Sequence, residues 1–479
     1  MKKLAIIFLI SILSAGSLFS QSEMDAFRFS HIEPGGTARF TAMGGAFTAL
    51  GGDFGSFSTN PAGIGIFRRS EFSITPTLGY NLVNSTYYGT TEEDMKYDFN
   101  LNNVGVVFSF PIGSQTDEGG WRYFNIGFGM NRHNNFNSRW IAEGFNPESS
   151  LMTDFLQQAT AEGIDNLDKF STGLAYDTWL LGEENGEFFV DMPDGRVLQR
   201  QETSTSGSIR EMVLTAGANF DNRIYLGASV GFPSVRYEEE TQYRETDPEG
   251  QSEVFNSLTY TNRLTTRGSG YNFKFGAIVW LTEMIRVGGA IHTPTFYDLD
   301  DSYRASMRSD LNLDYTSNFA ESPRGRFNYD INTPLRAMGG LGLVFGNMGL
   351  VSLDYEYADY TKMRLRSSDY MFSDENRSIR ENFTQQHIVR VGGELRLEPL
   401  ILRAGYGFYS NPYEESVNDR QQSVISAGIG IRDANYSLDF SYSIARFDED
   451  FFLYNPDLVQ AVEKQYSISA FRLTMGWRF

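Results

Sequence analysis

From about residue 69 to its end, the chain alternates apolar residues with polar or small ones. The C-terminus shows the pattern most cleanly. Phe471, Leu473, Met475, Trp477 and Phe479 hold one parity, and Arg472, Thr474, Gly476 and Arg478 hold the other. Upstream, Tyr436, Leu438, Phe440, Tyr442 and Ile444 oppose Ser437, Asp439, Ser441 and Ser443. Ile425, Ala427, Ile429 and Ile431 oppose Ser426, Gly428 and Gly430, and similar alternation runs through 214–220 and 271–279. A period of two puts each set on its own face of a β-strand. Fourteen candidate strands follow, near 69–88, 99–113, 120–140, 208–221, 222–246, 254–281, 283–306, 322–346, 348–368, 379–397, 399–411, 420–432, 434–447 and 464–479.

The two faces identify the solvent. A soluble sandwich exposes a charged face and buries the apolar one. Here the polar face is rich in Gly, Ser, Asn and isolated charges, while the apolar face is aromatic. That is the pattern of an all-β transmembrane antiparallel β-barrel, apolar outside and polar in the lumen. The connections alternate too. Very short turns are expected at 221–222, 281–284, 346–348, 397–400 and 432–435. Longer polar loops are expected near 89–98, 141–207, 247–253, 307–321, 369–378, 412–419 and 448–463. Short periplasmic turns and long extracellular loops give this asymmetry, and an even strand number suits a bacterial barrel.

Three regions stand outside the pattern. Residues 1–20 begin with Lys2 and Lys3, continue through the apolar run Leu4–Leu13, and end in small residues. This order predicts a secretory signal peptide at 1–20, with an apolar run too short to span a bilayer as a helix. Residues 21–68 hold nine glycines without clean alternation, and suggest a short helix over 38–50. A barrel at 69–479 has a lumen wide enough to take them as an N-terminal luminal hatch. Residues 150–182 carry Leu151, Phe155 and Leu156, then Ile164, Leu167 and Phe170, at helical spacing. They predict a helical insert in the extracellular loop 141–207.

Composition removes several functions. The chain has 479 residues, 40 basic against 60 acidic, and a formal net charge of −20, which argues against nucleic-acid binding. It has no Cys, which excludes disulfide scaffolds, thiol nucleophiles and Cys-ligated metals. The four His are scattered and lack partners at metal spacing, so no metal or cofactor is expected. No G-x-S-x-G or other catalytic grouping is visible, so the chain does not read as an enzyme. The mean hydropathy of −0.34 is that of a soluble protein, and the alternation overrides it.

Residues 35–67, GGTARFTAMGGAFTALGGDFGSFSTNPAGIGIF, resemble the N-terminal hatch of the FadL-type outer-membrane long-chain fatty-acid and hydrocarbon transporters. The marks are the paired glycines, the small-residue segment and Asn60-Pro61-Ala62-Gly63 just before the first strand. Residues 268–297, GSGYNFKFGAIVWLTEMIRVGGAIHTPTFY, look like that family's strand–turn–strand. The resemblance implies a monomer in the outer membrane of a Gram-negative bacterium, surrounded by lipid and lipopolysaccharide. It also implies passive uptake of hydrophobic small molecules such as long-chain fatty acids or hydrocarbons, gated by the hatch. The external helical insert departs from the best-known members, so ligand contacts carried by loops do not transfer.

Each candidate residue has a functional and a structural reading. Asn60, Pro61, Ala62 and Gly63 are expected to form the hinge or latch of the hatch; otherwise they form a turn into the first strand. Asn131, Arg132, His133, Asn134 and Asn135 break the alternation of Phe124, Ile126, Phe128 and Met130. They are expected at a lateral gate, since the family's third strand bends inward and opens the wall. Their other reading is a strand that has risen above the membrane. Phe40, Met43, Phe47, Leu50, Phe54 and Phe57 either line a ligand pocket or pack the plug. Lumen parity collects Lys274, Arg286, Arg336, Arg390, Arg396, Arg403 and Arg472 against Asp354, Glu356, Glu394 and Asp439. Arg286, Arg336 and Arg403 are candidates to hold a carboxylate headgroup, and interstrand ion pairs are the alternative. His292 and His387 read as structural.

Two rival functions remain. One is a barrel that docks protein partners of a secretion system, a role to which the family resemblance extends. The other is a receptor for haem or iron compounds, weakened by scarce His and by the lack of an energy-coupling box.

Overall fold

The alternating segments form fourteen antiparallel strands among the described residues. They are β1 (Glu71–Tyr87), β2 (Thr90–Pro111), β3 (Trp121–Asn135 and Ser138–Asn146), β4 (Val197–Phe220) and β5 (Ile224–Thr246). β6 (Phe255–Trp280), β7 (Ile285–His292 and Phe296–Leu311), β8 (Asn318–Glu321, Gly325–Asn332 and Arg336–Phe345) and β9 (Gly349–Asp359 and Arg364–Arg366) follow. β10 (Gln385–Leu397), β11 (Leu400–Tyr409), β12 (Gln422–Arg432), β13 (Tyr436–Phe451) and β14 (Val462–Arg478) complete the wall. β14 pairs with β1, Arg478 opposite Glu71 and Glu463 opposite Thr86, so the barrel is closed. The computed structural model describes residues 22–33, 35–112, 119–192, 194–312, 318–414 and 417–479; the expected signal peptide lies outside them.

The faces are inverted relative to a soluble protein. On β6, Phe273 and Phe275 are 39% and 55% exposed, while Asn272 and Lys274 are 5% and 4%. Leu438 and Phe440 on β13 point out, and Asp439 and Ser441 between them are buried. Such a continuous apolar belt in water would cost roughly 25 cal/mol per Å² of apolar surface, so its medium is lipid. No described helix is long and apolar enough to cross a membrane, which says nothing of strands.

The long-loop end departs from expectation, because several strands run further than their apolar residues suggest. The loop expected at 89–98 is strand: Thr90–Asp98 pairs with β1, and the chain turns at Tyr88 and Gly89. Both have positive φ (45° and 80°), as a two-residue hairpin turn requires. Alternation continues there, with Met95, Tyr97 and Phe99 outward, but Asp94, Lys96 and Asp98 between them gave the stretch a loop-like composition. Likewise β3 reaches Asn146 and β4 starts at Val197, so the expected loop 141–207 shrinks to 147–196. The polar run QRQETSTSGS, read as loop, is the upper half of β4. β7 extends to Leu311 and β13 to Phe451, while the helix Ser373–Asn382 takes up part of the expected loop 369–378 and residues 379–382, expected at the start of β10.

Among the described residues five α-helices accompany the barrel: α1 (Glu23–Ser30), α2 (Ala38–Ala42), α3 (Leu151–Glu162), α4 (Thr172–Asp177) and α5 (Ser373–Asn382). α3 and α4 form the helical insert. Ser150 caps α3 by accepting from Met152 N (3.1 Å), and its hydroxyl donates to Glu245 of β5 (2.6 Å). Leu151, Met152, Phe155 and Leu174 pack on Tyr87, Trp140, Tyr243 and Leu258 of the wall. The insert therefore folds back onto the barrel mouth instead of standing off in solvent.

Candidate functional site

The hatch begins where Thr37 caps α2, accepting from Phe40 N (3.1 Å). The expected helix over 38–50 stops at Ala42, because Gly44 and Gly45 take positive φ (63° and 77°) and turn the chain. Two 3₁₀ turns follow. Asp53 caps Phe54–Ser58, accepting from Gly55 N and from the Thr37 hydroxyl (2.8 Å each). Asn60 caps Pro61–Ile66, accepting from Ala62 N at 3.1 Å. All six apolar candidates of the hatch are buried. Phe40, Met43, Phe47 and Leu50 cluster with Leu350, and Phe54 and Phe57 cluster with Ile64, Phe67, Val107 and Val213.

Polar latches fasten the hatch to the wall around much of its circumference. Thr48 N donates to Asp354 (2.7 Å), Ala38 N to Thr474 (2.7 Å), and Arg39 to Glu394 (3.1 Å). The Asn60 amide donates to Thr48 O (2.7 Å) and Ala277 O (3.2 Å), joining two hatch segments to β6. The wall meets this backbone with glycine. A Cβ on Gly276 would lie 1.9 Å from Asn60 Oδ1, and one on Gly288 would lie 2.0 Å from Thr48 O. Side chains cannot stand at these two positions while the hatch is seated.

Above the hatch the chain threads the lumen. α1 carries a capping box, Ser22 with Asp25, and sits near the long-loop end. Phe27 packs against Tyr360, Phe383 and Tyr413, and the Arg28 guanidinium lies 4.4 Å over the Tyr237 ring. Lower down, Ser30 O accepts from Arg336, Glu33 N donates to His133 O, and Gly36 O accepts from Asn102. Burial holds the His31 imidazole well below its ordinary value, reinforced by Arg420 and Arg336, and it raises the Glu33 carboxyl.

The run Asn131–Asn135 stands where the wall parts. The β2–β3 ladder extends from Pro111 opposite Tyr123 to Asn103 opposite Asn131 and ends there. Above that point β2 pairs only with β1, and β3 stays with β4, its register slipping between Arg132 and Asn134. Side chains bridge the parted strands. Asp98 of β2 accepts from Arg132 (3.2 Å) and Asn135 (2.8 Å), and Lys96 reaches Thr205 O of β4 (2.7 Å). His133 and Asn134 turn inward, to Glu211 (2.9 Å) and His31 O (2.7 Å). Tyr97 and Phe99 lie outward on β2 beside this seam, 63% and 77% exposed.

Between the threaded segment and the hatch lies a cavity of about 40 Å³, lined among others by His133, Glu211, Lys274, His292, Arg336 and Glu356. It has room for water but none for a hydrocarbon. Glu211 pairs there with both His133 and Lys274. His292 meets the hatch at Thr59 O (2.7 Å), and His387 faces outward to Tyr355. The three arginine candidates part company. Arg336 pairs with Glu356 (2.7 Å), and Arg403 with Glu394 (2.8 Å) and Asp439 (2.6 Å), all deeply buried. Arg286 faces the short-turn end, its guanidinium 3.8 Å over the Trp280 ring.

Sequence reasoning missed Glu211 and Asp98. Extending the β4 alternation two residues upstream from Val213 gives lumen parity to Glu211. β2 offers no such extension: its register slips between Leu101 and Asn103, so parity carried up from Val104, Val106 and Phe108 would have put Asp98 outside. Their partners, His133, Lys274, Arg132 and Asn135, did stand among the sequence candidates.

No family model and no curated protein matches the chain. Solved structures do. A FadL homologue of Pseudomonas aeruginosa is 12% identical, with a TM-score of 0.59 over 94% of this chain and 100% of that one. The toluene transporter TbuX of Ralstonia pickettii is 14% identical, with a TM-score of 0.55 over 93% and 99%. The toluene transporter TodX of Pseudomonas putida is 12% identical, with a TM-score of 0.53 over 94% and 100%. At such identity the likeness is one of fold, and the fold is that of a closed fourteen-stranded FadL-type barrel.

Proposed function

We propose that the protein is an outer-membrane channel for the diffusion-driven uptake of hydrophobic small molecules in a Gram-negative bacterium. Fatty acids and monoaromatic hydrocarbons are the classes first in view, given that two similar structures are toluene transporters. The observation that carries the reading is the end of the β2–β3 ladder at Asn103 and Asn131, above which both strands run on, each paired only with its other neighbour. A lipopolysaccharide leaflet slows apolar solutes, and a water-filled pore offers them no favourable site. A solute that enters the barrel and leaves sideways into lipid avoids both obstacles.

In this reading Asn131, Arg132, His133, Asn134 and Asn135 form the lateral gate, and Asp98 is its opposing jamb. Asn60, Pro61, Ala62 and Gly63 latch the hatch. Phe40, Met43, Phe47, Phe54 and Phe57 are buried in the seated hatch and become ligand-lining only when it moves, while Leu50 also borders the space below the hatch.

The chain has no cysteine, which makes a covalent test clean. Asp98→Cys with Asn135→Cys puts two thiols where the side chains now touch at 2.8 Å. Crosslinking them is expected to stop uptake of toluene or a fatty acid by cells carrying the barrel, and reductant is expected to restore it. Full uptake through the crosslinked seam would rule out the lateral route. Absence of saturable binding to any hydrocarbon or fatty acid by the folded barrel would favour the secretion-docking alternative.

A further inference from the structure

The short-turn end of the barrel opens into a vestibule of about 490 Å³ below the hatch. In a chain of net charge −20, this vestibule is basic. The hatch and the segment leading to β1 supply Arg39, Arg68 and Arg69; the wall supplies Arg286, Arg396, Arg432 and Arg478. Two carboxylates answer them. Glu71 pairs with Arg478 (2.9 Å), and Glu394 pairs with Arg39 and Arg396 but also with Arg403. Arg68 and Arg69 bond only to neutral partners, Asn222, Asn435 and backbone carbonyls.

Arg286 and Arg432 likewise meet no carboxylate among the described residues. Arg286 lies over Trp280, and its Nε is buried without a hydrogen-bond partner. Arg432, at the end of β12, lines the same space. A buried donor left unmade is costly, and clustered cations with low-dielectric walls focus a field that draws anions. Leu50, Phe67, Trp280 and Val344 give the vestibule an apolar side as well.

We propose that the vestibule is a binding site for an amphipathic anion. Its carboxylate or phosphate group is drawn by these unpaired guanidinia and takes a charge-assisted hydrogen bond from Arg286, and its apolar part lies against Trp280, Leu50 and Val344. This site stands at the opposite end of the barrel from the lateral seam. It does not rest on the uptake reading, because a ligand can reach it directly from the short-turn side.

The test is equilibrium binding to the full-length barrel in nanodiscs of zwitterionic lipid. Octanoate, octyl phosphate, octanol and inorganic pyrophosphate are the probes. Octanoate and octyl phosphate are expected to bind saturably and more tightly than octanol or pyrophosphate, and high salt is expected to weaken both. Arg286→Gln with Arg432→Gln is expected to weaken octanoate about tenfold or more, the loss of charged hydrogen bonds. Arg68→Gln with Arg69→Gln, outside the strands, is a second variant that leaves the wall intact and is expected to weaken it less. Arg236→Gln at the long-loop end is expected to change nothing.

Octanol binding as well as octanoate would reduce the vestibule to an apolar hole and overturn the proposal. Pyrophosphate binding as tightly as octanoate would overturn its amphipathic part and point to a free polyanion. Octanoate binding unchanged in both arginine pairs would place the anion elsewhere.

Discussion

Asn60 offers the sharpest test of how the hatch is held. Its side chain is fully buried and makes three hydrogen bonds, to Thr48 O, Ala277 O and Ala62 N. Asn60→Ala removes all three and leaves Thr48 O and Ala62 N buried without these bonds, while Ala277 keeps its place in the ladders of β6. At about 0.5–1.5 kcal/mol each, the seated hatch loses roughly 3 kcal/mol relative to an unseated one. Since 1.4 kcal/mol is a factor of ten, the unseated population should rise on the order of a hundredfold. The assay is amide hydrogen exchange read by mass spectrometry on the full-length barrel. Peptides covering 37–67 should exchange faster by about that factor, the opening being local. Peptides from β6 and β10 should be unchanged, because the wall ladders do not depend on this amide. Unchanged exchange in the hatch would refute the latch. So would acceleration shared equally by the strands, which would mean that Asn60 supports the barrel and not the plug.

Gly276→Ala should unseat the hatch by a different route, since its methyl would lie 1.9 Å from Asn60 Oδ1; Gly339→Ala, with open space around it, should be silent in the same exchange assay. Phe155→Ala should loosen the insert over the barrel mouth by about 3–5 kcal/mol, seen as faster proteolysis within 147–196 with the barrel intact. Burial raises the Asp154 carboxyl above its ordinary value, so the folded insert binds this proton more tightly than the unfolded one. Stability of the insert then rises as pH falls through the folded value, and at neutral pH the ionised carboxylate opposes folding. Asp154→Asn should therefore slow proteolysis of the insert at neutral pH and flatten its pH dependence; faster proteolysis at neutral pH would reverse the sign of that argument.

The wall was legible because alternation repeats in every strand, and one misread residue does not hide the rest. Strand ends were less so. The upper half of β4 is polar on both faces, and in upper β2 the acidic and basic residues from Glu92 to Asp98 mask the outward Met95, Tyr97 and Phe99; such polarity alone looks like loop. Segment 35–67 stood out by its glycines, but the role of glycine is divided between chain and wall. Gly44 and Gly45 turn the chain, whereas Gly276 and Gly288 are absences of side chain that have meaning only once Asn60 and Thr48 lie against them. Arg286, Arg336 and Arg403 looked alike by parity. What separates them is whether Glu356, Glu394 or Asp439 falls within reach, and that depends on register across strands far apart in sequence. The N-terminal helix was missed although Ser22 and Asp25 stand at capping-box spacing, a signal weaker than the helical reading of the glycine-rich segment that drew attention instead.

The latches of the hatch also set a timetable. Asn60 waits for β6, Thr48 for β9 some 306 residues downstream, and Ala38 for Thr474 of β14, 436 residues away. A segment that precedes every strand in the chain thus has its docking points spread to the last strand. Contacts of such separation form late, because loop-closure entropy must be overcome before they stabilise anything. A seated plug accordingly reports that the cylinder has shut around it, and a protease that cuts the unseated segment could time that closure during membrane insertion.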